Sequence, residues 1–401
     1  MEKVKNILHI YNSFLEQSEN WSYSQIKHLS NKYNLHVCAV HKADNEFDLS
    51  MFNSYYYPYG SLIKKSWGLS NFKILDLLTK LYILLKTKWT NTPNRFFSKI
   101  ISKQKIDLIH FHFADTCWKF KSLAKQHKLP FVVSFYGWDY EKLPFTKPEY
   151  NEAFKLIFKE AAQVIVEGEH GKNILIAKGC PPNKISVVPL GVEKVSITNT
   201  AKTKKTNTLK LIQIASYKEK KGFLNTIEAF SLARKKYPNI QLCIGGDSQD
   251  QKYKHQLFKL IDEHKIDDLI ILGRVDFKNL NDTLDNHDVF IHPSQYANDM
   301  DCEGGAPIVI LNAQSRGLPI IATTHCDIPS EVIHKSTGVL VEEKDSKALA
   351  GAIIQFYEMS EDQYNNYSKR AIEHIKTHFI SEKNAGLLIP IYHSAIQRLN
   401  N

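Results

Sequence analysis

Apolar residues along this chain come in short uninterrupted runs, each followed by a stretch whose apolar positions recur three and four apart. A short apolar run bounded by turn residues reads as a strand buried on both faces, and the longer period reads as a helix. In the first half, runs at residues 6–11, 35–40, 106–113, 131–135, 163–167 and 185–189 predict strands, with helical patterns between them over 22–32, 149–161 and 171–178. In the second half, strands are expected at 209–215, 241–245, 269–272, 289–293 and 319–322. Strands that alternate with helices need crossover connections, so the sheets should be parallel and covered on both faces. Two such series predict an α/β protein of two Rossmann-like, doubly wound domains facing a cleft at the carboxyl ends of their strands. Between them, Thr198-Asn199-Thr200-Ala201-Lys202-Thr203-Lys204-Lys205-Thr206 shows no periodicity and reads as a linker. The expected partition is a first domain over 1–195, a linker over 196–207, a second domain over 208–380 and a terminal helix over 381–401.

One loop stands out against this alternation: Asp299-Met300-Asp301-Cys302-Glu303-Gly304-Gly305-Ala306-Pro307, followed at once by Ile308-Val309-Ile310-Leu311-Asn312-Ala313-Gln314. Pro307 opens an apolar helix. The first N–H groups of a helix lack internal partners and carry the positive end of its dipole, and glycines let an anion approach closely. Gly304, Gly305 and Ala306 therefore suit a phosphate. Glu303 does not, because like charges repel; it suits the hydroxyls of whatever the phosphate carries. A sugar nucleotide meets both demands. Cys302 has no matching base and is expected to line the loop.

Composition narrows the partners. The 401 residues exceed one ordinary core, and 43% hydrophobic with 23% charged residues is a globular balance. No apolar run reaches the length of a membrane span, and the apolar part of residues 1–12 is too short for a secretory signal. The six cysteines are scattered without metal-type spacing, which points to reduced thiols and a cytoplasmic location. A formal charge of +10 calls for an anionic partner. No nucleic-acid recognition motif accompanies it, which leaves phosphorylated substrates or an acidic membrane. Residues 61–105, within an insertion spanning 55–105, interleave many lysines with Trp67, Phe72, Trp89, Phe96 and Phe97 against a single acid, Asp76. Two readings of this segment stay open: a basic amphipathic helix lying on an anionic bilayer, or a core helix with a solvated basic face.

The loop and its surroundings resemble family 4 of the retaining glycosyltransferases, which have the GT-B fold, and in particular the branch that builds colanic-acid-type exopolysaccharides. The likeness rests on an ordered series: Asp288-Val289-Phe290-Ile291-His292-Pro293-Ser294, the acidic loop, Glu303-Gly304, the apolar helix, then Gly317-Leu318-Pro319-Ile320-Ile321-Ala322-Thr323 and His325-Cys326-Asp327-Ile328-Pro329-Ser330-Glu331. The resemblance implies transfer of a hexose from a nucleotide diphosphate sugar to a glycan or polyprenyl-diphosphate-linked acceptor, with retention and with neither metal nor cofactor. It assigns Lys221, before Gly222, to the diphosphate, with Ser216 where the family has an arginine. Asn312 takes the place of the family's ribose-binding glutamate, and Tyr136 that of a histidine near the donor sugar. Arg274 and Val275 fall where the family meets the nucleotide base. His110 and His112 lie two apart on one face of a strand without an evident third metal ligand; with Asp139 and Glu16 they are expected to line the acceptor side of the cleft. The terminal helix is expected to cross back to the first domain. Two rivals accompany this reading: a non-catalytic GT-B homologue serving as scaffold for another transferase, and a nucleotide-sugar epimerase.

Overall fold

A computed structural model describes residues 4–15, 20–44, 47–58, 92–204, 207–248, 250–267 and 269–398. Glu16 and most of the basic segment, residues 59–91, lie outside the described residues. Seven parallel strands build the first sheet: β1 (Asn6–Phe14), β2 (Asn34–Lys42), β3 (Asn53–Tyr56), β4 (Leu108–His112), β5 (Phe131–Ser134), β6 (Gln163–Val166) and β7 (Ile185–Val187). Their spatial order is β3-β2-β1-β4-β5-β6-β7. The second sheet holds β8 (Leu209–Ile214), β9 (Ile240–Gly245), β10 (Ile270–Ile271), β11 (Val289–His292), β12 (Ile320–Thr323) and β13 (Gly338–Val341), in the order β10-β9-β8-β11-β12-β13. In each sheet the winding reverses between two central strands, β1 and β4 in one and β8 and β11 in the other. Ligand crevices form at such switch points.

Two strands lie outside the expected set. β3 is Asn-Ser-Tyr-Tyr on a sheet edge, mostly half-buried, and only its pairing with β2 (His36 opposite Asn53) makes it a strand. β13 is four residues long and is held by β12, with Ile320 opposite Gly338.

The Thr- and Lys-rich stretch is a strap fixed to the second domain. Lys202 Nζ donates to the carbonyls of Asp285 and His287 at 2.6 and 2.8 Å, capping the carboxyl end of helix Leu280–Asp285. Lys204, 3% exposed, donates to the carbonyl of Tyr357. Polar composition suggested a free connection; Lys202 and Lys204 are instead bound to backbone carbonyls of the second domain.

Beyond helix Glu361–His378 the chain crosses back. Val192 bridges to Ile380, and helix Leu388–Gln397 seats Leu388, Tyr392 and Ala395 among Ile7, Tyr11, Leu35 and Val37 of the first sheet. Burying Leu388 and Tyr392 completely contributes about 1.5–3 kcal/mol each, so the terminal helix belongs to the first domain's core.

Candidate functional site

Lys220 and Lys221 end a short turn that closes on Gly222, whose φ is +67°. A Cβ on Gly222 would lie 1.9 Å from the Pro293 carbonyl oxygen, so only glycine lets the loop after β8 press against the end of β11. That approach sets Lys221 Nζ 2.6 Å from Glu303 Oε2. The Ser294 hydroxyl donates to the other carboxylate oxygen at 2.8 Å, and the Glu303 N–H donates to His325 Nε2 at 3.2 Å. His325 Nδ1 lies 2.6 Å from Glu343, which fixes the tautomer that leaves Nε2 free to accept. Burial pushes the Glu303 carboxyl up, but the Lys221 and Lys220 ammoniums, with His292, hold it well below the usual carboxylate range. Glu303 is therefore ionised and purely an acceptor, and Lys221 keeps two N–H donors for a second anion. Lys220 donates to Asp301 at 3.0 Å and to the Cys302 carbonyl at 2.7 Å. Lys142 of the first domain reaches Asp299 at 2.6 Å, so the acidic loop is held from both sides of the cleft.

Two glycines meet where the domains touch. A Cβ on Gly137 would lie 2.2 Å from Gly304 Cα, and one on Gly304 would lie 2.3 Å from Gly137 Cα. Both have positive φ, +95° and +80°. Glu167, after β6, sits against Gly305, where a Cβ would come within 2.4 Å of its Oε2. Sequence reasoning missed Glu167 because nothing in its neighbourhood marks it; only domain packing brings it to the loop. Gly304, Gly305 and Ala306 lie between Glu303 and the helix Ile308–Ser315.

Tyr136 is 8% exposed and packs on Trp21 and Phe113. Its hydroxyl lies 2.7 Å from His112 Nδ1, and His112 Nε2 lies 2.9 Å from His9 Nδ1. His110 stacks on His112 and reaches Tyr392 at 2.7 Å and Ser134 at 2.8 Å. The third imidazole that sequence spacing did not supply is His9, which the β1–β4 register places opposite His110. These three rings could approach a metal ion together. Burial holds His9, His110 and His112 below the usual imidazole range, and the charged groups that add to this are one another and His36. All of their nitrogens except His9 Nε2 are turned to each other and to hydroxyls, which makes a hydrogen-bond chain beneath Tyr136. His110 and His112 are fully buried, one layer below the cleft surface at which they were expected.

Asp139 also departs from that expectation. It is fully buried, its two oxygens accept the N–H groups of Ala114 and Tyr136 at 2.9 and 2.8 Å, and burial raises its pKa to about 7. Its role is to hold the Tyr136 loop. In the second domain, Ser216 is exposed just after β8 and Arg274 is exposed after β10, where its charge acts on Asp247. Val275 packs at Gly245, 2.9 Å from where a Cβ would lie. Asn312 lies in the helix behind the glycines, 6% exposed, and its side-chain amide makes no hydrogen bond to the described residues.

Two facing Rossmann-like domains, a glycine contact across the cleft and a returning terminal helix define the GT-B architecture. Sucrose-phosphate synthase from Thermosynechococcus elongatus superposes with a TM-score of 0.76 at 16% identity, over 98% of this chain and 100% of that one. HepE of Anabaena, solved with UDP and glucose, superposes at 0.71 and 16% identity over 97% and 100%. The family description "Glycosyl transferases group 1" matches residues 196–374, and "Glycosyltransferase Family 4" matches residues 76–194. Together the two descriptions cover residues 76–374, and both are descriptions of glycosyltransferases. A putative colanic acid biosynthesis glycosyltransferase of Salmonella typhimurium is 29% identical over 60% of this chain, and the amylovoran biosynthesis glycosyltransferase of Erwinia amylovora is 26% identical over 62%. The chain spans 57% and 60% of the lengths of those two relatives. An Escherichia coli protein named UDP-Gal:alpha-D-GlcNAc-diphosphoundecaprenol alpha-1,3-galactosyltransferase is 27% identical over 64% of this chain and 68% of its own length.

Proposed function

We propose that this protein transfers a hexose from a nucleotide diphosphate sugar to a hydroxyl of a glycan or polyprenyl-diphosphate-linked acceptor during cell-surface polysaccharide assembly. The observation that carries the reading is the ionised Glu303 paired with Lys221 at the glycine-lined start of helix Ile308–Ser315. The helix end and Lys221 stabilise charge on the departing phosphate, and Glu303 accepts donor-sugar hydroxyls. Asn312 receives a ribose hydroxyl, with Ser216, Arg274 and Val275 along the nucleotide. Tyr136 faces the donor sugar from the first domain, and Glu16 belongs to the acceptor side. Attack occurs on the face the diphosphate leaves, with retention, and the phosphate takes the acceptor proton. Lysine and the helix dipole do this without metal or cofactor.

The names of the exopolysaccharide relatives and of the diphosphoundecaprenol-dependent relative support the acceptor class. Among the described residues, no helix is long and apolar enough to cross a membrane. The enzyme acts in the cytoplasm, with the anionic inner face of the membrane as a partner surface for the basic segment; within residues 61–105, helix Pro93–Gln104 instead takes the core-helix alternative, burying Phe97 and Ile101 in the first domain.

A thermal-shift panel of UDP-, GDP- and ADP-sugars selects the donor. Turnover of that donor must require an acceptor and vanish in Glu303→Ala. An epimerised donor formed without acceptor would establish the epimerase instead, and stabilisation by none of the panel would leave the scaffold reading standing.

A further inference from the structure

Beside the two chain crossings the domains enclose a cavity of about 360 Å³, a volume within the range of small-molecule sites, about 300–1,000 Å³. Four carboxyl residues line it: Glu167 and Glu169 from the first domain and Asp327 and Glu331 from the second; Glu169 is exposed and paired with Lys172 at 3.0 Å, which leaves Glu167, Asp327 and Glu331 to face the interior. Glu331 is 5% exposed, and its Oε2 forms no hydrogen bond among the described residues. Asp327 accepts the His170 N–H at 2.8 Å through Oδ1, while its buried Oδ2 has no such partner. Burial raises the Glu331 carboxyl well above its usual range, with Glu167 and Asp327 adding repulsion. Glu167 is pushed to about 8 by burial and by Asp327 and Asp139, against the Gly305 N–H that favours its charge.

No lysine or arginine is among the residues lining this space. His374 donates to the Ser330 carbonyl at 3.2 Å and is kept neutral by burial, and the His170 ring turns to Glu141. Buried carboxyl oxygens without partners are costly, so the arrangement calls for a donor that the chain does not supply. A bare divalent ion fits poorly. The carboxylate oxygens do not gather as closely as the nitrogens of the three-histidine group, which all lie within 4.8 Å of one another. The opposite wall, Val187, Leu190 and Phe379, is apolar and suits a carbon skeleton.

We propose that this cavity binds a small organic ammonium ion of monosaccharide size, an amino sugar being the class that fits. Its N–H groups satisfy Glu331 and Asp327, its ring lies on the apolar wall, and Glu167 closes over it from the other domain. Binding therefore favours the closed arrangement. The inference stands apart from glycosyl transfer, because nucleotide-sugar binding at Glu303 and Lys221 is measured separately on the same samples.

The test is thermal shift and calorimetry on the full chain with D-glucosamine, D-glucose, N-acetyl-D-glucosamine, Mg²⁺ and Mn²⁺ at pH 7. Glucosamine is expected to raise Tm saturably by about 2–4 °C, with the two uncharged sugars and both metals inert. Glu331→Gln should weaken glucosamine at least about tenfold while leaving the ligand-free Tm unchanged or higher, since it replaces a buried carboxyl whose Oε2 has no partner by a group that never ionises. Asp327→Asn provides the same comparison should Glu331→Gln fold poorly. Equal shifts from glucose and glucosamine, no shift from any probe, a metal response in place of the amine, or full retention in both variants would each overturn the proposal.

Discussion

Replacing Gly137 with alanine tests whether the Gly137–Gly304 contact is the closed, working arrangement of the cleft. The new Cβ would lie 2.2 Å from Gly304 Cα, 2.6 Å from Gly304 N and 3.1 Å from the Glu303 carbonyl carbon. Carbon atoms settle at about 3.5–4.0 Å, and all three neighbours are backbone, so no rotamer relieves the clash. The two loops must part by about 1.5 Å. A displacement near 1 Å at a reacting centre costs on the order of 10²-fold in rate. Donor affinity should change by less than about threefold, because Lys221 and Glu303 are both in the second domain and remain paired; turnover should fall about 100-fold. The φ of +95° adds a strain of about 1–2 kcal/mol that is unrelated to closure. Gly179→Ala isolates that term, since Gly179 has φ +93° and nothing within 4 Å of its added Cβ. Steady-state donor turnover, with nucleotide affinity measured by calorimetry, separates the effects. Turnover in Gly137→Ala no lower than in Gly179→Ala would refute the reasoning.

Other outcomes follow from the same contacts. Lys221→Ala leaves Glu303 as an unpaired buried charge and should cost about 3–5 kcal/mol in denaturant unfolding, whereas Glu303→Gln should cost less yet still lower turnover at least about 10²-fold; equal stability of the two variants would contradict this ion-pair assignment. Glu167 has a folded pKa of about 8, above its unfolded value of 4.5, so the native state holds the extra proton and stability declines as pH rises from about 4.5 through about 8, levelling off above that. Glu167→Gln should flatten the fall of Tm between pH 5 and 9 (about one proton's worth), and an unchanged slope would show that this carboxyl does not carry it. Lys202→Met removes the cap on helix Leu280–Asp285 and should destabilise the second domain by about 2–3 kcal/mol, a loss below about 0.5 kcal/mol arguing that the strap is passive.

The alternation of apolar runs and helical spacing was enough to predict two parallel α/β domains, because a strand covered on both faces must be apolar along its whole length. The Glu303 loop was legible for a similarly local reason. A proline-opened helix behind two glycines is an expectation of an anion site that residue order alone supports. Ion partners were not local: Lys221 meets Glu303 because Gly222 lets two loops touch, and Lys202 caps a helix some eighty residues away. His9, Glu167 and the burial of Asp139 likewise depend on strand register and domain contact, which bring together residues that no spacing along the chain relates. The chemistry of single segments was written in residue order. Which charges neutralise one another, which stay unpaired and where the two domains touch were decided by tertiary packing, because electrostatic and steric terms act over a few ångströms of space regardless of separation in sequence.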